Sequence, residues 1–497
     1  MLFNSVQYLI FFPVVTLAYF LIPQRMRYLW LLAASYYFYM CWNPKYALLM
    51  AASTLITYFS GLLIEHTNRT DDARKAVRQK KLWVVVSLAL NLGILFFFKY
   101  YNFAFSSLQR VFGLAGISFQ VPSFDVLLPV GISFYTFQAL SYTVDVYRGE
   151  IKPEHNVLKY ALFVSFFPQL VAGPIERSRN LLPQIDEVHV YDHARVRNGL
   201  LRMLYGLFQK LVVADRLALL VNEVFNHYQS YAGLEIAVAA VLFTVQIYCD
   251  FGGYSNLAIG SAQVLGFRLM ENFKQPYFAR DIADFWKRWH ISLSSLMRDY
   301  IYIPLGGSRR GAVRTCINLL LTFLASGLWH GAMWTFVMWG LLHGVYRVVG
   351  RATRTLRSRL YQWLHIRTDT FSFALGQRVT TFFLVVVSYI FFRANSMRAA
   401  LHMLYSMFTE WNPWIFTDGT IVSMGLTAAN LTVAVLAIAV VWYVDLCRER
   451  GRHLCVVLQQ QNMVFRWGLY YAAILAIAVF GIYGPAYSAA QFIYFQF

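Results

Sequence analysis

Residues 315–346 read TCINLLLTFLASGLWHGAMWTFVMWGLLHGVY, thirty-two positions without an Asp, Glu, Lys or Arg. One membrane helix needs about 20 mostly apolar residues. The stretch is too long for one comfortable span and too short for two full ones. Both flanks are basic, with Arg309, Arg310 and Arg314 before it and Arg347 and Arg351 after it. Basic loops stay on the cytoplasmic side, so matching flanks put entry and exit on one face. At the middle stands Ser326-Gly327-Leu328-Trp329-His330-Gly331. Glycines on both sides of a histidine suit a break at membrane depth, tolerated only against protein or a wet cavity. Two readings fit: a bent or re-entrant pair of helices with His330 near the turn, or one long tilted helix. The flanks favour the pair.

The rest of the chain agrees with a membrane setting. Of 497 residues, 58% are hydrophobic, 18% aromatic and 13% charged. A soluble domain carries about 25% charged residues. A water-soluble fold, a disordered chain and a collagen-like chain are therefore excluded, and a polytopic membrane protein remains. Further charge-free stretches predict an all-α protein with roughly 11 to 13 membrane segments, re-entrant or broken helices included. The net charge of +19 fits cytoplasmic loops and is weak support for nucleic-acid binding. The five cysteines are scattered, with no metal or disulfide spacing. Basic clusters follow the first span (Arg25, Arg27) and the third (Arg69 to Lys81), and recur at Arg347–Arg367 and Arg448–Arg466. Read as cytoplasmic, they put the N-terminus outside, and the tail 485–497 emerges on the outer face.

An ionisable side chain at membrane depth marks a functional site by default, which makes His330 the first candidate. His343 lies nearer the basic flank and reads as a packed histidine. The segment Asp281–Tyr302, DIADFWKRWHISLSSLMRDYIY, is too charged to face lipid. It pairs Asp284 with Arg288 at i,i+4, and its Trp286 and Trp289 suit a membrane interface. His290 opens its more apolar half. The tail QFIYFQF (491–497) reads by itself as an aromatic anchor. Walker-type, GxGxxG and HExxH motifs are absent.

Five runs together carry a resemblance: LLPVGISFYTFQALSYTVDVYRG (127–149), FFPQLVAGPIERSRNLLPQ (166–184), YCDFGGYSNLAIG (248–260), DFWKRWHISLSSLMRDYIYIPLGG (284–307) and ASGLWHGAMWTFVMWGLLHG (325–344). In this order the chain resembles the membrane-bound O-acyltransferase superfamily, and within it the bacterial branch of alginate and related cell-surface O-acetyltransferases. The resemblance implies one membrane domain over 1–497. Its parts are N-terminal helices (1–120), a catalytic core (121–350), a cytoplasmic basic loop (351–378), C-terminal helices (379–484) and the outer-face tail (485–497). The signature histidines match His290 and His330, with His330 in the position treated as catalytic. Phe492, Tyr494 and Phe497 fit an FxYxxF pattern similar to that of a small subunit of teichoic-acid D-alanylation. That likeness makes Tyr494 a third candidate, as an acyl carrier.

The function the resemblance implies is transfer of an acetyl group from cytoplasmic acetyl-coenzyme A across the bacterial inner membrane to an exported polysaccharide such as alginate. No metal is implied. A periplasmic partner of the Ser-Gly-Asn-His hydrolase type is implied, with membrane lipids around the chain and no nucleic acid. Peptidoglycan or cellulose as acceptor, a lipid acyltransferase and a transporter stand as alternatives.

Overall fold

The computed structural model describes residues 1–69, 71–118, 121–124, 128–171, 173–452 and 454–483. Among them the regular structure is helical throughout, without a strand. Among the described residues, seven helices are long and apolar enough to cross a membrane: Pro44–His66, Ala73–Leu114, Leu234–Leu265, Ala312–His330, Phe371–Arg393, Ala428–Glu449 and Met463–Phe480. Val6–Leu21 is a shorter apolar helix. The expected 11 to 13 membrane segments include broken helices. Residues 160–175, for instance, break at Phe166 into Val157–Ser165 and Phe167–Leu170, where Pro168 has no N–H to continue the first helix. Tyr494 and the tail around it lie outside the described residues.

The chain forms two compact units, residues 1–203 with 257–270, and residues 204–256 with 271–497. The first unit packs on aromatic rings. Phe167 meets Phe11 edge-on at 5.3 Å and lies 5.8 Å from Phe38. Two of its buried tyrosine hydroxyls are paired: Tyr8 Oη with Ser261 Oγ at 2.6 Å, and Tyr160 Oη donating to Thr57 Oγ1 at 2.8 Å. Glu176 is fully buried. Its carboxylate accepts from the Met270 N–H and from Asn180 Nδ2, and burial pushes its pKa up to about 7.

The second unit holds both signature histidines. Residues 312–352 form a helical hairpin, Ala312–His330 and Trp334–Ala352, joined by three residues. The single-helix reading is thus set aside, and His330 is the last residue before the turn. Two glycines let the arms touch. A Cβ on Gly327 would lie 2.3 Å from the Phe336 carbonyl oxygen, and one on Gly340 would lie 2.4 Å from that of Phe323. Each arm has 19 residues, about 28 Å of helix, against a hydrocarbon core of about 30 Å. Of the two arms, Ala312–His330 is among the helices long and apolar enough to cross a membrane. The helices run on into the basic flanks, taking in Arg314, Arg347 and Arg351.

The segment 281–302 also departs from an interfacial helix. It forms two short helices, Ile282–Arg288 and Ile291–Met297, and a π-helical turn, Arg298–Tyr302. Trp286 and Trp289 point into the core rather than to the interface; Trp289 stacks on Phe285 at 5.6 Å. The Asp284–Arg288 pair forms at 2.9 Å, and Arg288 also reaches Glu449 at 2.6 Å. Deeper in the unit, Lys210 Nζ lies 2.7 Å from Asp215 and 2.6 Å from Asp250, all three buried. An uncompensated charge there would cost several kcal/mol, roughly.

Candidate active site

His290 begins the Ile291–Met297 helix in a left-handed conformation, φ 43° and ψ 55°. A residue with a Cβ holds that conformation at a cost of about 1–2 kcal/mol. Hydrogen bonds on both sides of it offset the strain. The N–H of Trp289 donates to Phe285 O at 2.8 Å, that of Ile291 to Asn272 O at 3.0 Å, and that of Ser294 to His290 O at 2.9 Å. The ring is fully buried, with Phe251 edge-on at 4.7 Å. Its Nδ1 lies 3.2 Å from Asn272 Oδ1.

His330 ends its helix because Gly331 turns to an extended backbone, φ −164°. A Cβ at Gly331 would lie 2.2 Å from the Phe336 ring, so the turn closes only over a glycine. The imidazole sits in an aromatic cage, with ring centroids at 4.9 Å to Trp339, 5.0 Å to Trp329 and 5.2 Å to Phe392. His290 and His330 come together, 6.2 Å between centroids. The indole N–H of Trp339 is buried and meets no hydrogen-bond acceptor among the described residues. These groups supply what acyl transfer needs at one place: imidazoles to move a proton and an unengaged N–H donor.

His343 takes no part in that pair. The Trp286 indole N–H donates to its Nδ1 at 3.2 Å, and its Nε2 lies 3.0 Å from Ser388 Oγ. The hydroxyl in turn donates to Val385 O. Both ring nitrogens are engaged, which fits its reading as a packed histidine.

The model of the MBOAT, membrane-bound O-acyltransferase, family matches residues 148–386, which include both histidines. A probable alginate O-acetylase, AlgI, of Pseudomonas putida is 37% identical over the whole of both chains.

The chain belongs to the membrane-bound O-acyltransferase family.

A peptidoglycan O-acetyltransferase of Helicobacter pylori is 34% identical over 82% of this chain and 80% of its own. A teichoic acid D-alanyltransferase of Bacillus subtilis is 27% identical over 45% of this chain and 59% of its own. As a member of this family the chain is an O-acyltransferase and an integral membrane protein. Two neighbours of the paired histidines escaped the sequence reading. Asn272, in MENFKQP, carries no motif, and Trp339 reads as one aromatic among many. The fold alone brings them to the histidines.

Proposed function

We propose that this O-acyltransferase moves an acetyl group from cytoplasmic acetyl-coenzyme A to hydroxyls of an exported polysaccharide, with alginate the favoured polymer. The observation that carries the reading is the His290–His330 pair at the closed end of a hairpin whose open ends are basic. The alginate O-acetylase relative, matched over its full length, supplies the acyl group and the polymer. The peptidoglycan relative supports a second acceptor by the same chemistry.

In the proposed step His330 takes the proton of an acceptor hydroxyl, and the oxygen attacks the thioester carbonyl. The tetrahedral oxyanion collapses, the C–S bond breaks, and the leaving thiolate takes the proton back from the imidazolium. The buried N–H of Trp339 is a donor for the oxyanion. His290 acts beside it, as a further donor or as an orienting partner.

Tyr494 is the proposed first acceptor. A phenol of pKa about 10 is closer to a thiol at about 8.5 than an ordinary alcohol is, so its acetyl ester remains an active donor. The described chain reaches Tyr483 with its last turn pinned: Arg216 donates to the Phe480 carbonyl, and the Ile482 N–H donates to Leu211 O at 3.1 Å. Tyr494 lies eleven positions beyond Tyr483, a reach of at most roughly 40 Å. On this reading the protein lies in the bacterial inner membrane with both termini outside, and it supplies a periplasmic partner of the Ser-Gly-Asn-His hydrolase type.

Reconstituted protein given acetyl-labelled coenzyme A should release the free thiol and retain or pass on the label. Preference for long-chain acyl donors would replace this reading with lipid acylation. Movement of an unmodified solute with no transfer would replace it with transport.

A further inference from the structure

Asn272 is fully buried and grips the turn that presents His290. Its backbone carbonyl accepts from the Ile291 N–H at 3.0 Å. Its side-chain Oδ1 accepts from Ser292 Oγ at 2.7 Å and from the Ser292 N–H at 3.4 Å, and faces His290 Nδ1 at 3.2 Å. On the other side, Nδ2 donates to Ser255 Oγ at 3.1 Å.

These partners settle which way the amide points. A backbone N–H only donates, so the amide atom facing Ser292 N is the oxygen. An amide oxygen only accepts, so the imidazole nitrogen facing it carries a proton. Ser292 Oγ lies 3.5 Å from the same nitrogen, but its single proton goes to the amide oxygen 0.8 Å closer. We propose that Asn272 is a positioning residue that holds His290 in the Nδ1–H tautomer, leaving Nε2 as the acceptor nitrogen of the neutral ring. His290 then orients or receives a proton and does not donate one to an oxyanion. Ser255 completes the support by fixing the far side of the amide. The tautomer follows from these hydrogen bonds alone; only its effect on rate rests on the proposed acyl transfer.

The test reads both. Protein labelled with nitrogen-15 histidine is reconstituted and its ring nitrogens are recorded by solid-state NMR, His290 being assigned by loss of its signals in His290→Gln. The wild-type spectrum should show the His290 proton on Nδ1. Asn272→Leu, which keeps the volume and removes the acceptor, should shift the ring to a mixture or to the other tautomer and slow acetyl transfer at least about tenfold. Asn272→Asp restores an acceptor and should return both the tautomer and most of the rate. A wild-type proton on Nε2 overturns the proposal, and so does an Asn272→Leu protein with unchanged tautomer and rate. If Asn272→Leu fails to fold, the wild-type and Asn272→Asp spectra still decide. A wild-type Nδ1–H signal in protein that transfers no acetyl group would retain the tautomer and discard the proposed acetyl transfer.

Discussion

The imidazoles of His290 and His330 lie 6.2 Å apart, centroid to centroid, with their planes inclined by 60°. Each stands where a helix is interrupted, His290 at the left-handed start of one and His330 at the end of another. Helix interruptions that meet bring polar groups together inside an apolar interior.

His343 separates packing from chemistry. Its two nitrogens hold Trp286 and Ser388. His343→Phe would leave the Trp286 N–H without its acceptor, at roughly 1–3 kcal/mol for a buried polar group, while the Ser388 hydroxyl keeps its bond to Val385 O. The expected result is a lower unfolding midpoint in detergent, with the transfer rate of the folded fraction reduced less than about tenfold. A large loss of rate at unchanged stability would move His343 into the machinery.

The hairpin depends on its glycines. Gly327→Ala would drive a Cβ to within 2.3 Å of a backbone oxygen, where no flexible side chain gives way. We expect a loss of at least about 1–3 kcal/mol and of transfer activity. Gly350→Ala, whose Cβ would meet nothing within 4 Å, is the control and should fold and work normally. Thermal unfolding of the two variants side by side checks this.

The break at His330 was legible because the glycines, the charge-free run and the matching basic flanks all lie in one stretch. The extension of the two helices past the charge-free run was not, because arginine can sit inside the end of a membrane helix and still reach water. Trp286 and Trp289 misled for a different reason: composition does not distinguish an aromatic belt from an aromatic core. Asn272 carried no local signal, since its role arises from Ser255, His290 and Ser292 closing around it.

Glu176 gives the first unit a pH dependence. Its folded pKa of about 7 lies above the ordinary value of 4.5. The folded state therefore binds the proton more tightly than the unfolded one, and stability falls as pH rises from about 4.5 through 7. The change is up to about 3 kcal/mol. The unfolding midpoint in detergent should drop between pH 5 and pH 8, and Glu176→Gln should flatten that slope. A midpoint that rises over this range would contradict the assignment.

The tail is tested apart from the histidines. Tyr494→Phe should leave acetyl-coenzyme A turnover to added small alcohols intact while abolishing acetylation of the exported polymer. Mass spectrometry of the C-terminal peptide should find an acetyl group on Tyr494 in the wild type alone. Full polymer acetylation by Tyr494→Phe would remove the relay and leave the chemistry at His330 untouched.

The most direct measurement is single-turnover transfer from acetyl-labelled coenzyme A by reconstituted wild-type protein and by His330→Gln, matched for insertion and for unfolding midpoint. The account predicts transfer in the wild type and a loss of at least about 10²-fold in the variant. Equal transfer by the two proteins would contradict it.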